Sequence, residues 1–265
     1  MKIYVENIGR GIRQTFEKLA GEFRLFLQSL YWIFIGPLIK KPFSWSATSH
    51  QMVFAGVYSL IIVSFVAFFT GIVLAMQSAY QLVQFGVKSL VASLVSVSMA
   101  RELGPVFTAL VVAGRVGSAI TAEISSMKVN EQIEALDTMA INPVRFLVVP
   151  RLLALAVMLP CLTMLADVVG MLGGFVIGVF SLKISPGLYM DMTVRFLQLK
   201  DIHTGLFKAF VFGIIIAIVG CFEGLNAKGG AEGVGRSTTV SVVSSFIMII
   251  LADCLLTGIF YFSDF

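Results

Sequence analysis

Between Lys41 and Lys88 the chain carries no Lys, Arg, Asp or Glu. A run of that length without charge constrains the fold more than any other feature, because soluble domains interrupt their apolar segments with charged surface positions. A helix crosses a hydrocarbon core about 30 Å thick with about 20 apolar residues, and residues 52–77 supply them. Composition agrees across all 265 residues: 13% are charged, against roughly 25% in soluble domains, and 58% are hydrophobic. The mean hydropathy is +0.95. These values exclude a soluble enzyme and make a bilayer the working solvent.

Backbone groups inside a bilayer must be satisfied within the segment, so spans of this composition are helices. Gaps between charges predict five, at residues 52–77, 103–122, 146–180, 205–222 and 240–262. The third is 35 residues, too long for one straight crossing and short for two. Pro150 and Pro160 permit kinks, and Gly170, Gly174 and Gly178 form a small-residue stripe. One long, kinked or tilted helix fits, as does a re-entrant hairpin turning near Asp167. The fold class is thus all-α integral membrane protein.

Lys and Arg counts set the orientation. With the N-terminus inside, eleven fall on the cytoplasmic side, seven of them in residues 1–41. Five fall opposite: Lys88, Arg101, Lys183, Arg195 and Lys200. The N-terminal 45 residues hold Phe16, Leu19, Ala20, Phe23, Leu27 and Leu30 at helical spacing, with Arg13, Glu17, Lys18 and Glu22 between them. They predict an amphipathic helix in the membrane interface or a soluble helix capping the membrane domain. No cleavage site follows the apolar run before Lys40-Lys41, so a cleaved leader is not expected.

Candidate chemistry is sparse. Cys161, Cys221 and Cys254 lie in apolar stretches without paired spacing, His50 and His203 are isolated, and no metal site is expected. Residues 230–237 read GAEGVGRS, close to a phosphate-binding loop but with Arg236 in place of Lys. That motif needs a strand feeding a helix inside an α/β domain, which a membrane span cannot provide. A tight glycine turn is expected instead. Residues 125–146 form the most informative connector. Asn130 is placed to cap a short helix near 130–140, Glu131 and Glu134 suit its N-terminal end, and Ile133, Leu136 and Met139 make an apolar stripe. The segment fits a docking element or an ordinary surface connector.

Three segments carry a resemblance: RELGPVFTALVVAGRVGSAITAE at 101–123, KVNEQIEALDTMAINPVRFLVVPRLLA at 128–154, and EGLNAKGGAEGVGRSTTVSVV at 223–243. In that order and spacing they resemble the MlaE permease family, the membrane subunits of MCE-associated lipid ABC transporters, over residues 50–262. The resemblance implies a non-catalytic permease in the cell inner membrane, paired with a second permease protomer. It also implies ABC ATPase subunits on the cytoplasmic side, which bind ATP in its place, and an MCE-domain lipid carrier outside. Glu131, Gln132, Glu134 and Leu136 would then be ATPase-coupling contacts. Leu74, Leu82, Phe85 and Leu103 would touch the acyl chains of a phospholipid, and Arg101, Glu102 and Lys208 would lie near its head group. No nucleic-acid partner or cofactor of its own is implied.

Basic residues near helix ends also snorkel to the interface without any ligand. Counted from the inner ends of their spans, Arg115, Asp253 and Asp167 lie about 10, 20 and 30 Å deep. Intramembrane charges need partners, and the expectation is that Asp253 or Asp167 pairs with Lys208 or Arg101. The competing functions are a proton-coupled carrier acting without an ATPase and a membrane scaffold.

Overall fold

In the computed structural model, residues 2–36 and 44–263 are described, with side chains of the N-terminal segment described at Arg13 and from Phe16 onward. Among these residues there are helices and no strand. The helices are α1 (Lys2–Phe34), α2 (Trp45–Ala55), α3 (Leu60–Gln84), α4 (Leu90–Ser98), α5 (Gly104–Val112), α6 (Ser118–Val129), α7 (Gln132–Thr138), α8 (Val149–Val176), α9 (Pro186–Phe196), α10 (Leu199–Leu225) and α11 (Gly230–Ser263). Five continuous segments are long and apolar enough to cross a membrane: Trp45–Gln84, Leu90–Val129, Val144–Ser181, Leu199–Leu225 and Gly230–Phe262. Each is longer than the charge gaps predict, because the helices continue past the hydrocarbon into polar residues. The chain segment ending in Lys40-Lys41 lies outside the described residues.

The third span is one helix without a reversal at Asp167. It runs through Pro160, with π-helical turns Val144–Val148 and Ile177–Ser181 at its two ends. This span is the mast of the molecule, packed against the first span on one side and the fourth on the other. Helices in lipid gain little from apolar burial against one another, so close approach of small residues supplies their packing. Here the approach is backbone to backbone. A Cβ on Gly71 would stand 1.9 Å from the Gly170 carbonyl oxygen, and one on Gly173 would stand 2.2 Å from that of Phe68. A Cβ on Gly205 of the fourth span would stand 2.0 Å from the Ala100 oxygen of the second. The remaining glycines of the stripe, Gly174 and Gly178, make room for Tyr189 of α9. Burial holds that phenol up at about 12.

The second span is interrupted by π-helical turns at Met99–Leu103 and Ala113–Gly117. The first has a local cause: Pro105 has no N–H to give the Arg101 carbonyl four residues back, and the widened turn absorbs the missing bond. In the second, Arg115 turns inward, donating to Ser59 Oγ at 2.8 Å and the Phe54 carbonyl at 3.3 Å, with its guanidinium 5.6 Å from the Phe54 ring centroid.

Two local expectations are corrected. Asn130 does not cap the short helix; it terminates α6, and Glu131 precedes α7 in the left-handed region at φ 57°. The chain reverses too sharply there for the extended backbone an N-cap needs. Of GAEGVGRS, Gly230 shares the turn with Gly229, at φ 66° and 93°, and the other residues are the start of α11. On α1 one residue departs from the expected polar face, Glu22, which is buried. Phe16, Phe23 and Leu27 face outward, while Leu25, Ser29 and the acid Glu22 are buried against the membrane domain.

Replacing Gly71 by Val is expected to force the first and third spans apart and cost about 1–3 kcal/mol, the usual range for overpacking. Gly258→Ala, at a position with nothing within 4 Å, is expected to be near neutral. Thermal unfolding of the detergent-solubilised variants measures both, and an unchanged midpoint for Gly71→Val would remove the backbone-contact account.

Candidate functional site

The π-helical turn Met99–Leu103 brings a charged recess and an apolar cleft together on adjacent residues. Leu103 lines the cleft, of about 500 Å³, with Leu74, Phe69, Val73, Gln77 and Phe107 between the first and second spans. Arg101 and Glu102 line the recess, of about 280 Å³, with Lys208, Thr204, Thr257 and Tyr261. An α-helix turns 100° per residue, so three successive side chains fan out, and this turn directs them to both compartments.

Lys208 is the centre of the recess. It is 1% exposed, and such a cation persists at this depth only with counter-charges. Its ammonium donates to the Glu102 carboxylate and, at 2.7 Å, to Thr257 Oγ1. Asp253 Oδ1 stands 3.0 Å away, an ion-pair contact without hydrogen-bond alignment. Thr257 lies one helical turn from Asp253, so α11 presents both on one face. The expected pairing of Asp253 with Lys208 is therefore present. Arg101 pairs instead with Asp201 at 3.5 Å, the acid that closes a reciprocal cap with Gln198 at the start of α10. Asp167 joins neither cation: its Oδ1 is buried without a hydrogen bond among the described residues, against Gly104.

The four residues expected at acyl chains divide. Leu74 and Leu103 meet at the cleft. Leu82 packs on the small cluster of Val91, Val95 and Met99, and Phe85 stands exposed just past the end of α3. Neither lines the cleft, which ends on α3 at Gln77; Leu82 lies more than a turn beyond it and Phe85 past the helix end. Sequence reading missed Thr257 and Asp201. Thr257 carries no distinctive signal, but Asp201 sits three residues after Gln198, the spacing of a reciprocal helix cap.

At the opposite end of the spans, α7 exposes Glu131, Gln132 and Glu134 and buries Ile133 and Leu136. Leu136 belongs to the main apolar core, so it anchors the short helix while the acids form its outer surface. Met139, expected on the buried stripe, is exposed because α7 ends at Thr138. The Lys128 ammonium bonds to Glu134 and holds its carboxyl below the ordinary range. Nearby, Arg151 is buried in the third span and reaches Glu123 at 2.8 Å and the Leu147 carbonyl at 2.7 Å, tying the base of α7's support to the mast.

The sequence pattern of the permease MlaE family matches residues 48–259. The chain belongs to the MlaE permease family. It is 42% identical over 93% of both chains to a probable ABC transporter permease protein of Rickettsia typhi. A probable ABC transporter permease protein of Synechocystis is 41% identical over 95% of both. The intermembrane phospholipid transport system permease protein MlaE of Haemophilus influenzae is 35% identical over 85% of this chain and 86% of its own. As an MlaE-family permease, this chain is a membrane permease component, and the matched residues include the cleft, α7 and the recess residues Arg101, Glu102, Thr204, Lys208 and Thr257.

Lys208→Met is expected to strand Glu102 and Asp253 at membrane depth. Breaking a buried pair costs about 3–5 kcal/mol, and the lower end applies because Glu102 is 39% exposed. Adding Asp253→Asn to Lys208→Met is expected to restore part of that loss. Thermal unfolding of both variants reads this, and a double variant no more stable than the single one would show that Asp253 does not balance Lys208.

Proposed function

We propose that this chain is the permease subunit of an ATP-driven transporter that moves phospholipid or a related lipid between the inner membrane and an MCE-domain carrier. The observation that carries the reading is the joint of apolar cleft and charged recess at residues 101–103. A phospholipid has that same two-part chemistry, and a site for it needs both parts within the length of one molecule. Leu74 and Leu103 would meet acyl chains. The Arg101 side chain, 37% exposed, would approach the phosphate, since a guanidinium matches phosphate oxygens with paired donors. Lys208, enclosed by two carboxylates and a threonine, would hold the recess open and oriented.

ATP is bound by separate ATPase subunits in this reading, on the cytoplasmic side with the N-terminus and α7. The acidic outer surface of α7, with Glu131, Gln132 and Glu134, would be their contact, and the buried Leu136 would transmit its movement to the core. A second permease protomer would cover the wide cleft along the first span. No residue of this chain has a catalytic role or binds a cofactor in the scheme. The name of the Haemophilus relative supports phospholipid as cargo, and the ABC names support ATP as the energy source.

The permease co-reconstituted with its ATPase subunits and carrier is expected to transfer fluorescent phospholipid only with hydrolysable ATP. Glu131→Lys with Glu134→Lys is expected to cut ATP-driven transfer by about tenfold or more, because reversed charges oppose an electrostatically matched partner. Membrane insertion should be unchanged. Transfer by the permease alone, indifferent to ATP, would overturn the reading, and full transfer by the double variant would remove α7 as the coupling element.

A further inference from the structure

The inward face of α1 holds an arrangement that the transport reading leaves unused. Lys18 Nζ lies 2.7 Å from Glu223 Oε1 of α10 and donates a 2.8 Å hydrogen bond to Ser244 Oγ of α11. One turn further along α1, Glu22 is 6% exposed. Among the described residues no hydrogen bond or ion pair reaches its carboxyl. Glu22 lines an apolar groove of about 280 Å³ walled by Phe23 and Phe26 of α1, Ile215 and Val219 of α10, and Met248 of α11. A buried, unpartnered acid on an apolar wall is costly unless a cation or donor reaches it. Burial pushes the Glu22 carboxyl above the ordinary range, Lys18 opposes the shift, and Glu223 adds to it. With Lys18 committed to Glu223, the cluster keeps one negative charge in excess.

The groove lies within one half of the bilayer, running along α10 from Val219 to Ile214, about 8 Å at 1.5 Å per residue. Glu223 lies two residues inside the end of α10 at Leu225, level with an interface. Ile214, at the far end of the groove, is nine residues deeper, about 14 Å at 1.5 Å per residue. A leaflet's hydrocarbon is about 15 Å, half of the whole core. The volume is too small for a helix about 10 Å across and suits a single chain. Lys208 is six residues from Ile214 along α10, about 9 Å, and its recess shares no lining residue with the groove, so the two places are separate.

We infer that Glu22 and this groove bind a phospholipid whose head group carries a primary ammonium, taken from the leaflet on the α7 side. The ammonium meets the Glu22 carboxylate and one acyl chain fills the groove. An anionic head group without an amine meets the excess negative charge and is disfavoured. A trimethylated amine brings positive charge but no N–H donor, and so satisfies the buried carboxylate less well. The site pins α1 to the membrane domain through a lipid, and it stands or falls independently of lipid transport and of the recess at Lys208.

The test uses the full chain purified into nanodiscs from an equimolar mixture of phosphatidylethanolamine, phosphatidylcholine and phosphatidylglycerol. Tightly retained lipid is then released and quantified. The wild type is expected to retain phosphatidylethanolamine in preference to phosphatidylglycerol. Glu22→Gln, which removes the charge and keeps the shape, is expected to lower that preference by about tenfold or more, the worth of a charged hydrogen bond. Ile215→Trp, which fills the groove, is expected to reduce retention of phosphatidylethanolamine in a protein that still folds and inserts. Equal head-group ratios for wild type and Glu22→Gln would overturn the proposal. So would a photo-crosslinker at Phe23 that captured a polypeptide instead of lipid.

Discussion

Everything in this molecule hangs on the contact of bare backbone along the third span. Lipid tails are as apolar as leucine, so membrane helices gain little by burying side chains against each other, and dispersion between closely fitted surfaces has to hold them. Gly71 against Gly170 and Gly173 against Phe68 bring the first span to the mast, and Gly213 against Leu155 brings the fourth. With those distances fixed, the second span has one seat left, across the fourth at Gly205 and Ala100. That seat sets Arg101 and Glu102 beside α10 and Leu103 beside α3. The residues of the proposed lipid site are placed by positions that carry no functional group.

The π-helical turn at residues 99–103 converts this packing into a site. A regular α-helix through Pro105 would leave one carbonyl without a donor at membrane depth, where water cannot repair it. The widened turn shifts the register of the residues before it relative to those after it. Glu102 consequently reaches Lys208 of α10 and Thr257 of α11, while Leu103 remains on the wall of the cleft. Pro105 therefore contributes by what it lacks.

Much of this was legible in the sequence, for reasons that differ by residue. The five spans follow from the placement of charges, because a bilayer penalises every charged position it encloses. The pairing of Lys208 with Asp253 follows from the same penalty. The extents of the helices do not, since nothing in an apolar count says where a helix stops once it leaves the hydrocarbon. Nor did the count show that Lys18 and Glu22 turn inward. On a helical wheel they sit among polar neighbours, but Glu223 and Ser244, supplied by two other spans, draw Lys18 off the surface. Asn130 failed as a cap for a related reason: α6 uses it to stop before α7 starts. In each case the deciding partner is distant in sequence.

The cleft and the recess differ in what they require from their surroundings. Apolar residues such as Phe65, Phe69 and Val73 along the first span are stable against acyl chains or an apolar protein face. Glu102 is different. It is 39% exposed at the edge of a recess that joins an apolar cleft, and lipid tails offer its carboxylate nothing. Its partners Lys208 and Thr257 serve one side of the carboxylate, and in the proposed scheme water or a polar head group would serve the exposed side. In the proposed scheme, a wall that admits tails beside one that excludes them would orient an amphipathic molecule. The orientation would follow from the adjacency of Glu102 and Leu103 on one turn.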